Sequence, residues 1–452
     1  MAVSQLSSRP DRRYGQRLGS STPKLTCGLC AGYTMKKLTN RISTLAAISL
    51  KAMIMNINID NHYTSKVYTC GATVSGHVSI NPRHDTEFSS VEISLQGKAT
   101  VRIDDTYSSR QTSQIFLKVD MPVAESAYPQ NRILKAGETH KIPFRFIIPS
   151  QLTEAACQHD VDSTSIRDCH LRLPSSLTSW DKDDMAPKLL GIRYYIKAKL
   201  LRESGPQQAK PSEVLSEAQY EINLLAASPE EPPLGANAWD SQYRLFESKN
   251  VSKALFSGSL GRVTAAAAQP PVIHLSHDGR SAGSSSFQAN LIFEPSVANA
   301  TPPEVALQSV KIFAETWYST NVTKGLPNMG ALREPFSLSA RVLWETLEYE
   351  SWKPKTLPDS QYTAVAKEEN SDSAPPTSYS TTLRAEFRLP TETYVFPPTF
   401  HSCLISRTYA LQISLRAGSA DLILVLPIQI AMEANEQPTA MLQDEELPVW
   451  RP

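Results

Sequence analysis

Glycine is scarce in this chain, 18 of 452 residues, whereas proline reaches 32. Proline removes a helix hydrogen bond and fixes its own φ, so this balance disfavours long helices and favours strands, bends and extended connections. Cysteine is sparse too. Six cysteines, Cys27, Cys30, Cys70, Cys157, Cys169 and Cys403, are too few and too scattered for the dense disulfide framework of a small secreted domain, and a reducing cytosol is the simpler expectation. An excess of one charge is also missing, with 45 basic against 45 acidic residues. Nine of the basic residues and one of the acidic residues fall in 1–55, leaving 36 against 44 beyond, a mild acidity that argues against nucleic acid as a partner. Long apolar runs are absent as well: the stretch 44–55, TLAAISLKAMIM, is too short to cross a bilayer and is broken by Lys51.

Catalytic and nucleotide-binding signatures are likewise missing: no G-x-S-x-G, no Walker loop, no G-x-G-x-x-G and no H-E-x-x-H occurs. The C-x-x-C of Cys27 and Cys30 has no second ligand pair at zinc-binding spacing. A richer group, Cys157, His159, Asp160, Cys169 and His170, falls within 14 residues but matches no finger register, and it reads as incidental residues of a flexible insertion. The acid pairs Asp104–Asp105 and Asp183–Asp184 sit in polar segments and read as solvated carboxylates. We therefore expect no enzyme, no catalytic, cofactor-binding or metal-binding residue, and no cofactor. Sequons at Asn250, Asn299 and Asn321 are short enough to arise by chance. With the basic apolar segment after Met35 they sustain one alternative, a secreted or surface β-sandwich binding protein.

What the chain does contain is period-two alternation, which puts successive side chains on opposite faces of a strand. Val74, Gly76, Val78 and Ile80 show it, followed by Val91, Ile93, Leu95 and Gly97, then Ala99, Val101 and Ile103. It returns in Ile115 to Val119, Ile142 to Ile148, Ile192 to Leu200 and Tyr220 to Leu225. In the second half it marks Phe287–Phe293, Val305–Trp317, Phe336–Glu348, Thr381–Leu389, Leu404–Leu415 and Leu422–Ile430. Strands apolar on one face need a facing sheet, and 452 residues exceed one core, so the chain predicts two β-sandwiches in tandem. The expected parts are a disordered basic extension over 1–54, a sandwich over 55–226, a linker over 227–255, a second sandwich over 256–432 and a disordered tail over 433–452. Residues 150–188 read as a long irregular insertion, and 353–380 as a disordered loop.

Several of these strands also resemble a known family. Residues 68–80 (YTCGATVSGHVSI), 91–97 (VEISLQG), 134–149 (LKAGETHKIPFRFIIP), 192–200 (IRYYIKAKL) and, in the second half, 398–413 (PTFHSCLISRTYALQI) with 424–430 (LVLPIQI) are similar in order and spacing to the arrestin-like proteins, the fungal and animal α-arrestins in particular. The resemblance implies two immunoglobulin-like arrestin sandwiches. It places Gly71 and Gly137 at turns, Pro143 at a strand start, edge or bulge, and Pro149 at a strand end. It implies a cytoplasmic adaptor, at most peripheral at plasma membrane or endosomes, whose partners are membrane-protein cargo tails or trafficking proteins in endocytosis and ubiquitin-linked sorting. Family members recruit HECT-type ubiquitin ligases through P-P-x-Y. Here Pro375, Pro376 and Tyr379 are one residue too long for that motif, because Thr377 and Ser378 both intervene. On a three-residue-per-turn polyproline helix the extra residue turns the tyrosine from its pocket, so recruitment of such a ligase is expected to be indirect.

Overall fold

The structure, a computed structural model, describes residues 53–104, 106, 108–203, 212–235, 242–252, 258–297, 300–329, 334–356 and 377–433. The first half forms β1 (Met53–Ile59), β2 (Val67–Thr69), β3 (Thr73–Pro82), β4 (Thr86–Glu87), β5 (Ser90–Asp104), β6 (Ser109–Met121), β7 (Ile133–Leu134), β8 (His140–Ile147), α1 (Thr164–Leu171), β9 (Leu190–Arg202) and β10 (Glu213–Leu225). The second forms β11 (Phe246–Ser252), β12 (Ser259–Ala267), β13 (Ile273–His274), β14 (Ser285–Pro295), β15 (Val305–Tyr318), β16 (Phe336–Val342), β17 (Trp344–Tyr349), β18 (Lys353–Thr356), β19 (Thr377–Phe387), β20 (Phe400–His401), β21 (Ile405–Ala417), β22 (Ala420–Ile428) and β23 (Ile430–Ala431).

The first sandwich faces a three-stranded sheet, β1-β3-β8, with a five-stranded sheet, β2-β10-β9-β5-β6. The second faces β11-β12-β14-β19-β17, with β18 on β19, against β16-β15-β21-β20, with β22 on β21. Alternation delivers both cores: Val74, Val78 and Ile80 meet Ile93, Leu95 and Ile196 in the first, and Val263, Leu291 and Phe293 join Ile312, Leu411 and Leu424 in the second. Each fully buried side chain of this size is worth about 1.5–3 kcal/mol, so the two apolar interiors dominate the favourable energy.

Punctuation residues fall where their backbone chemistry requires. Gly71 (φ 80°) and Gly137 (φ 77°) adopt left-handed turns that a side chain would strain. Pro143 lies in β8, the outer strand of its sheet, where a missing N–H costs no ladder bond. The two apolar runs 91–97 and 99–103 merge into the single strand β5, whose pairing with β6 shifts register between Gly97 and Lys98. That bulge turns Phe116 onto Tyr194, ring centroids 5.6 Å apart edge to face, in the space that the absent Gly97 side chain leaves. The run Phe336–Glu348 divides into β16 and β17, which join opposite sheets, and the corner Leu343 is 72% exposed.

Three stretches differ from their sequence reading. Residues 150–188 are the irregular insertion between strands that the sequence suggests, but a packed one rather than a flexible one: Leu152, Ala156, Leu173 and Leu177 enter the first core. The stretch expected as linker contains β11, which pairs along its length with β12 and buries Val251. Within 353–380, β18 and the start of β19 pair with each other. Residues 1–52 and 434–452, which hold most of the expected extension and tail, lie outside the described residues, as do Cys27 and Cys30.

Gly97 is a position in the first sandwich with no room for a side chain. A Cβ there would sit 2.5 Å from the Phe116 ring and 3.0 Å from Tyr194. Gly97→Ala is expected to lower stability by about 1–3 kcal/mol in denaturant unfolding, and adding Phe116→Ala should recover part of that loss, a non-additivity expected of two groups competing for one space.

Candidate functional site at the seam between the sandwiches

The two sandwiches interpenetrate. Phe400, Leu404 and Ile405, which lead into β21, are buried in the first core, while Met185 and Leu225 are buried in the second. Three polar assemblies are built on or beside β21, two of them bridging the seam and one lying within the second sandwich.

The first is a buried cation. Arg407 on β21 is fully buried, and its guanidinium donates to the backbone carbonyls of Asp184 and Met185 from the first sandwich while lying 5.8 Å from the Tyr409 ring. Those carbonyls belong to an unusual stretch of chain. Thr178 (φ 65°) and Met185 (φ 56°) are left-handed without being glycine, a conformation that survives only when its surroundings enforce it. The carboxylate of Asp184 supplies part of the enforcement, accepting from the Thr178 N–H at 2.6 Å and the Ala186 N–H at 3.1 Å. Asp184 is thus buried and committed to holding the backbone, not the solvated carboxylate that its polar segment suggests. Next to it Asp183 pairs with the second sandwich, its carbonyl accepting from the Val395 N–H at 3.0 Å.

The second assembly lies on paired strands of the second sandwich. Glu315 on β15 is directly opposite Thr408 on β21. The Thr408 hydroxyl donates to Glu315 Oε2 at 3.0 Å and accepts from Trp317 Nε1 at 2.8 Å, and Gln242 donates to the same carboxylate oxygen at 2.8 Å. Burial pushes the Glu315 carboxyl above its ordinary value, outweighing the hydrogen bonds from Thr408 and Gln242 that pull it down.

The third assembly gathers sulfur and imidazole. Cys157, His159, His170 and Cys403 bring one ligating atom each to within 4.8 Å of one another. Cys157 Sγ lies 3.7 Å from His159 Nδ1 and 3.6 Å from His170 Nδ1. His170 comes from α1, which is capped by Ser163, whose hydroxyl accepts from the Ile166 N–H at 3.3 Å. Arg167 on the same helix donates to the carbonyls of Cys157 (2.6 Å) and His159 (3.2 Å), fixing the turn that carries both. From the second sandwich, Cys403 arrives with its thiol 3.7 Å from the Ala156 carbonyl, and Thr323 offers its carbonyl to His159 Nε2 at 3.0 Å. Burial, then the neighbouring His159, His401 and Arg167, pushes the His170 imidazole down to about 4. Burial and the adjoining Cys157 push the Cys403 thiol up.

Of the five residues that proximity in sequence grouped, Cys157, His159 and His170 come together. The other two turn elsewhere: Asp160 pairs with Lys324 at the surface, and Cys169 faces Glu231. Cys403 is the member that sequence spacing could not supply, since it lies more than 200 residues away within the 398–413 stretch. Pro375 and Pro376 lie outside the described residues. Tyr379 sits in β19 opposite Pro354, its ring 6.4 Å from Phe293, and the buried Ser378 hydroxyl donates to the Lys355 carbonyl at 3.0 Å.

Glu315 gives the second sandwich a pH signature. A carboxyl whose folded value is raised binds its proton more tightly in the folded chain, so its contribution to stability is present below the ordinary value of 4.5 and is lost as pH rises through the folded value. Glu315→Gln keeps an oxygen acceptor for Thr408 and Gln242 but does not titrate. The stability of the variant relative to the natural chain should therefore grow from pH 4.5 upward and then level off, as measured by urea unfolding at a series of pH values.

Against known proteins, residues 55–221, which run from β1 through most of β10, match the family model for the arrestin (or S-antigen) N-terminal domain. No curated protein matches the chain. Over those residues, a little more than a third of the chain, the first sandwich is thus similar to an arrestin N-terminal domain.

Proposed function

We propose that this chain is an arrestin-like adaptor of the α-arrestin kind, acting in the cytoplasm on membrane-protein tails or trafficking partners in endocytic and ubiquitin-linked sorting. The observation that carries this reading is the arrestin N-terminal domain over residues 55–221, a family of adaptors and scaffolds that are generally not enzymes. Among the described residues, no helix is long and apolar enough to cross a membrane, so a membrane role of this kind would be peripheral.

The surface offers a way to bind an extended tail. Among the described residues, β6 ends its five-stranded sheet and pairs only with β5, which leaves a row of backbone donors and acceptors on its outer side. It also exposes Ile115 (56%) and Val119 (37%). Near its start, Thr112 and Gln114 are engaged by the Thr320 and Ala156 carbonyls, so the free stretch is the part towards Met121. An extended peptide can add to such an edge, with main-chain bonds giving affinity and apolar side chains giving selectivity. Crosslinked pull-downs of the tagged full chain should enrich integral membrane or trafficking proteins, and the doubly substituted chain Ile115→Glu, Val119→Glu should bind the recovered tails at least about tenfold, or 1.4 kcal/mol, more weakly. Absence of any such enrichment sinks the adaptor reading; enrichment unaffected by the double substitution moves the binding face away from β6.

Recruitment of a HECT-type ligase through Pro375, Pro376 and Tyr379 is weak in this reading, and the ligase link is indirect. The spacing argument is joined by a packing one, because a WW groove would have to draw Tyr379 out of β19 and away from Phe293. A synthetic peptide covering 370–384 is expected to bind WW domains poorly, and the same peptide lacking Ser378, which creates P-P-T-Y, at least about tenfold more tightly. Equal affinities would show that the spacing is not what limits binding.

A further inference from the structure

We propose that Cys157, His159, His170 and Cys403 form a four-coordinate site for one divalent metal ion of zinc type, structural in role, which joins the first sandwich to the second. The geometry suits such an ion. Zinc bonds of about 2.3 Å to sulfur and 2.0–2.1 Å to nitrogen, arranged tetrahedrally, place neighbouring sulfur and nitrogen ligands about 3.5–3.6 Å apart. Cys157 Sγ stands 3.6 Å from His170 Nδ1 and 3.7 Å from His159 Nδ1, and all four ligating atoms fall within 4.8 Å of one another.

The hydrogen bonds around the cluster favour the same assignment. His159 Nε2–H donates to the Thr323 carbonyl, which fixes the tautomer and leaves Nδ1, 3.7 Å from Cys157 Sγ, as the nitrogen free to ligate, the arrangement in which a ligating histidine is held by an outer carbonyl. Arg167 then holds the backbone of Cys157 and His159 so that the turn presents both side chains on one side.

Charge also balances. Binding a divalent cation releases the protons of the two thiols, and two thiolates with two neutral imidazoles leave the site uncharged. Cys157, His170 and Cys403 are buried, so neutrality matters there. Two sulfurs and two nitrogens in a tetrahedral set select zinc over the hard cations that prefer oxygen. Four protein ligands fill the coordination shell and leave no open position for a substrate or an activated water, which marks a structural rather than a catalytic metal. Because three ligands come from the stretch 157–170 and the fourth from the entry to β21, the ion would cross-link the seam itself.

The test uses the full chain, purified without chelator and analysed for metal by mass spectrometry, then reconstituted with Co2+ as a spectroscopic probe. One equivalent of zinc is expected, together with the intense visible bands and the sulfur-to-cobalt charge transfer of a tetrahedral thiolate site. Cys403→Ser and His170→Asn should each lose the ion and the bands, whereas Cys169→Ser, a cysteine one residue before His170 but turned to Glu231, should keep both. Adding a chelator should lower the melting temperature of the natural chain by more than about 5 °C and leave that of Cys403→Ser unchanged, since an ion bound only by the folded state stabilises only a chain that can hold it. The proposal is overturned if the natural chain neither carries nor takes up zinc or Co2+, if peptide mapping finds Cys157 and Cys403 joined as a disulfide, or if Cys403→Ser retains the metal.

Discussion

Arg407 is a full positive charge taken out of water, and among the described residues it makes no ion pair. Removing such a charge from water costs several kcal/mol even after the protein relaxes, so the site persists only because the carbonyls of Asp184 and Met185 accept from it at close range. Those carbonyls are available because Met185 is held left-handed and Asp184 ties back to Thr178 and Ala186. The buried cation of one sandwich and the strained backbone of the other are therefore conditions for each other. Pulling the two apart would strip Arg407 of both carbonyl acceptors.

With the seam fixed, the rest of the interface follows in space. β21 is anchored by Arg407, and its entry residues Phe400, Leu404 and Ile405 complete the first core. This brings Cys403 to the turn that holds Cys157 and His159, and Thr323 to the far nitrogen of His159. The sulfur and imidazole cluster is in this sense a product of tertiary packing. A local motif makes three of its members neighbours, and the meeting of two sandwiches adds the fourth.

This explains what could be read from the chain. Strand periodicity marked both cores correctly, because Val74, Val78, Ile80, Ile93 and Leu95 alternate as any half-buried strand must. Gly71, Gly137 and Pro143 were legible for a similar reason, as their backbone limits act within one or two residues. The resemblance in residues 68–200 led to the same family as the matched N-terminal domain. By contrast, Asp184 read as a solvated acid because its own neighbours are polar, and burial is imposed by Arg407 more than 200 residues later. Residues 150–188 read as loose because their order comes from side-chain caps, isolated bridges and a short helix, none of which has a repeating signature. The bulge at Phe116 left no mark beyond a glycine at 97, which only the paired strand explains.

The interlocked cores carry a consequence for biosynthesis. A ribosome delivers β1 through β10 long before it delivers Phe400, Leu404 and Ile405, with roughly 180 residues still to come, or about 10–40 s of elongation at ordinary rates. During that interval the nascent first sandwich lacks three of its own core side chains and exposes the apolar cleft that they will fill. The chain must therefore emerge with an unfinished domain, a natural client for chaperones that shield apolar surface, and truncations ending before β20 would fix that transient state permanently.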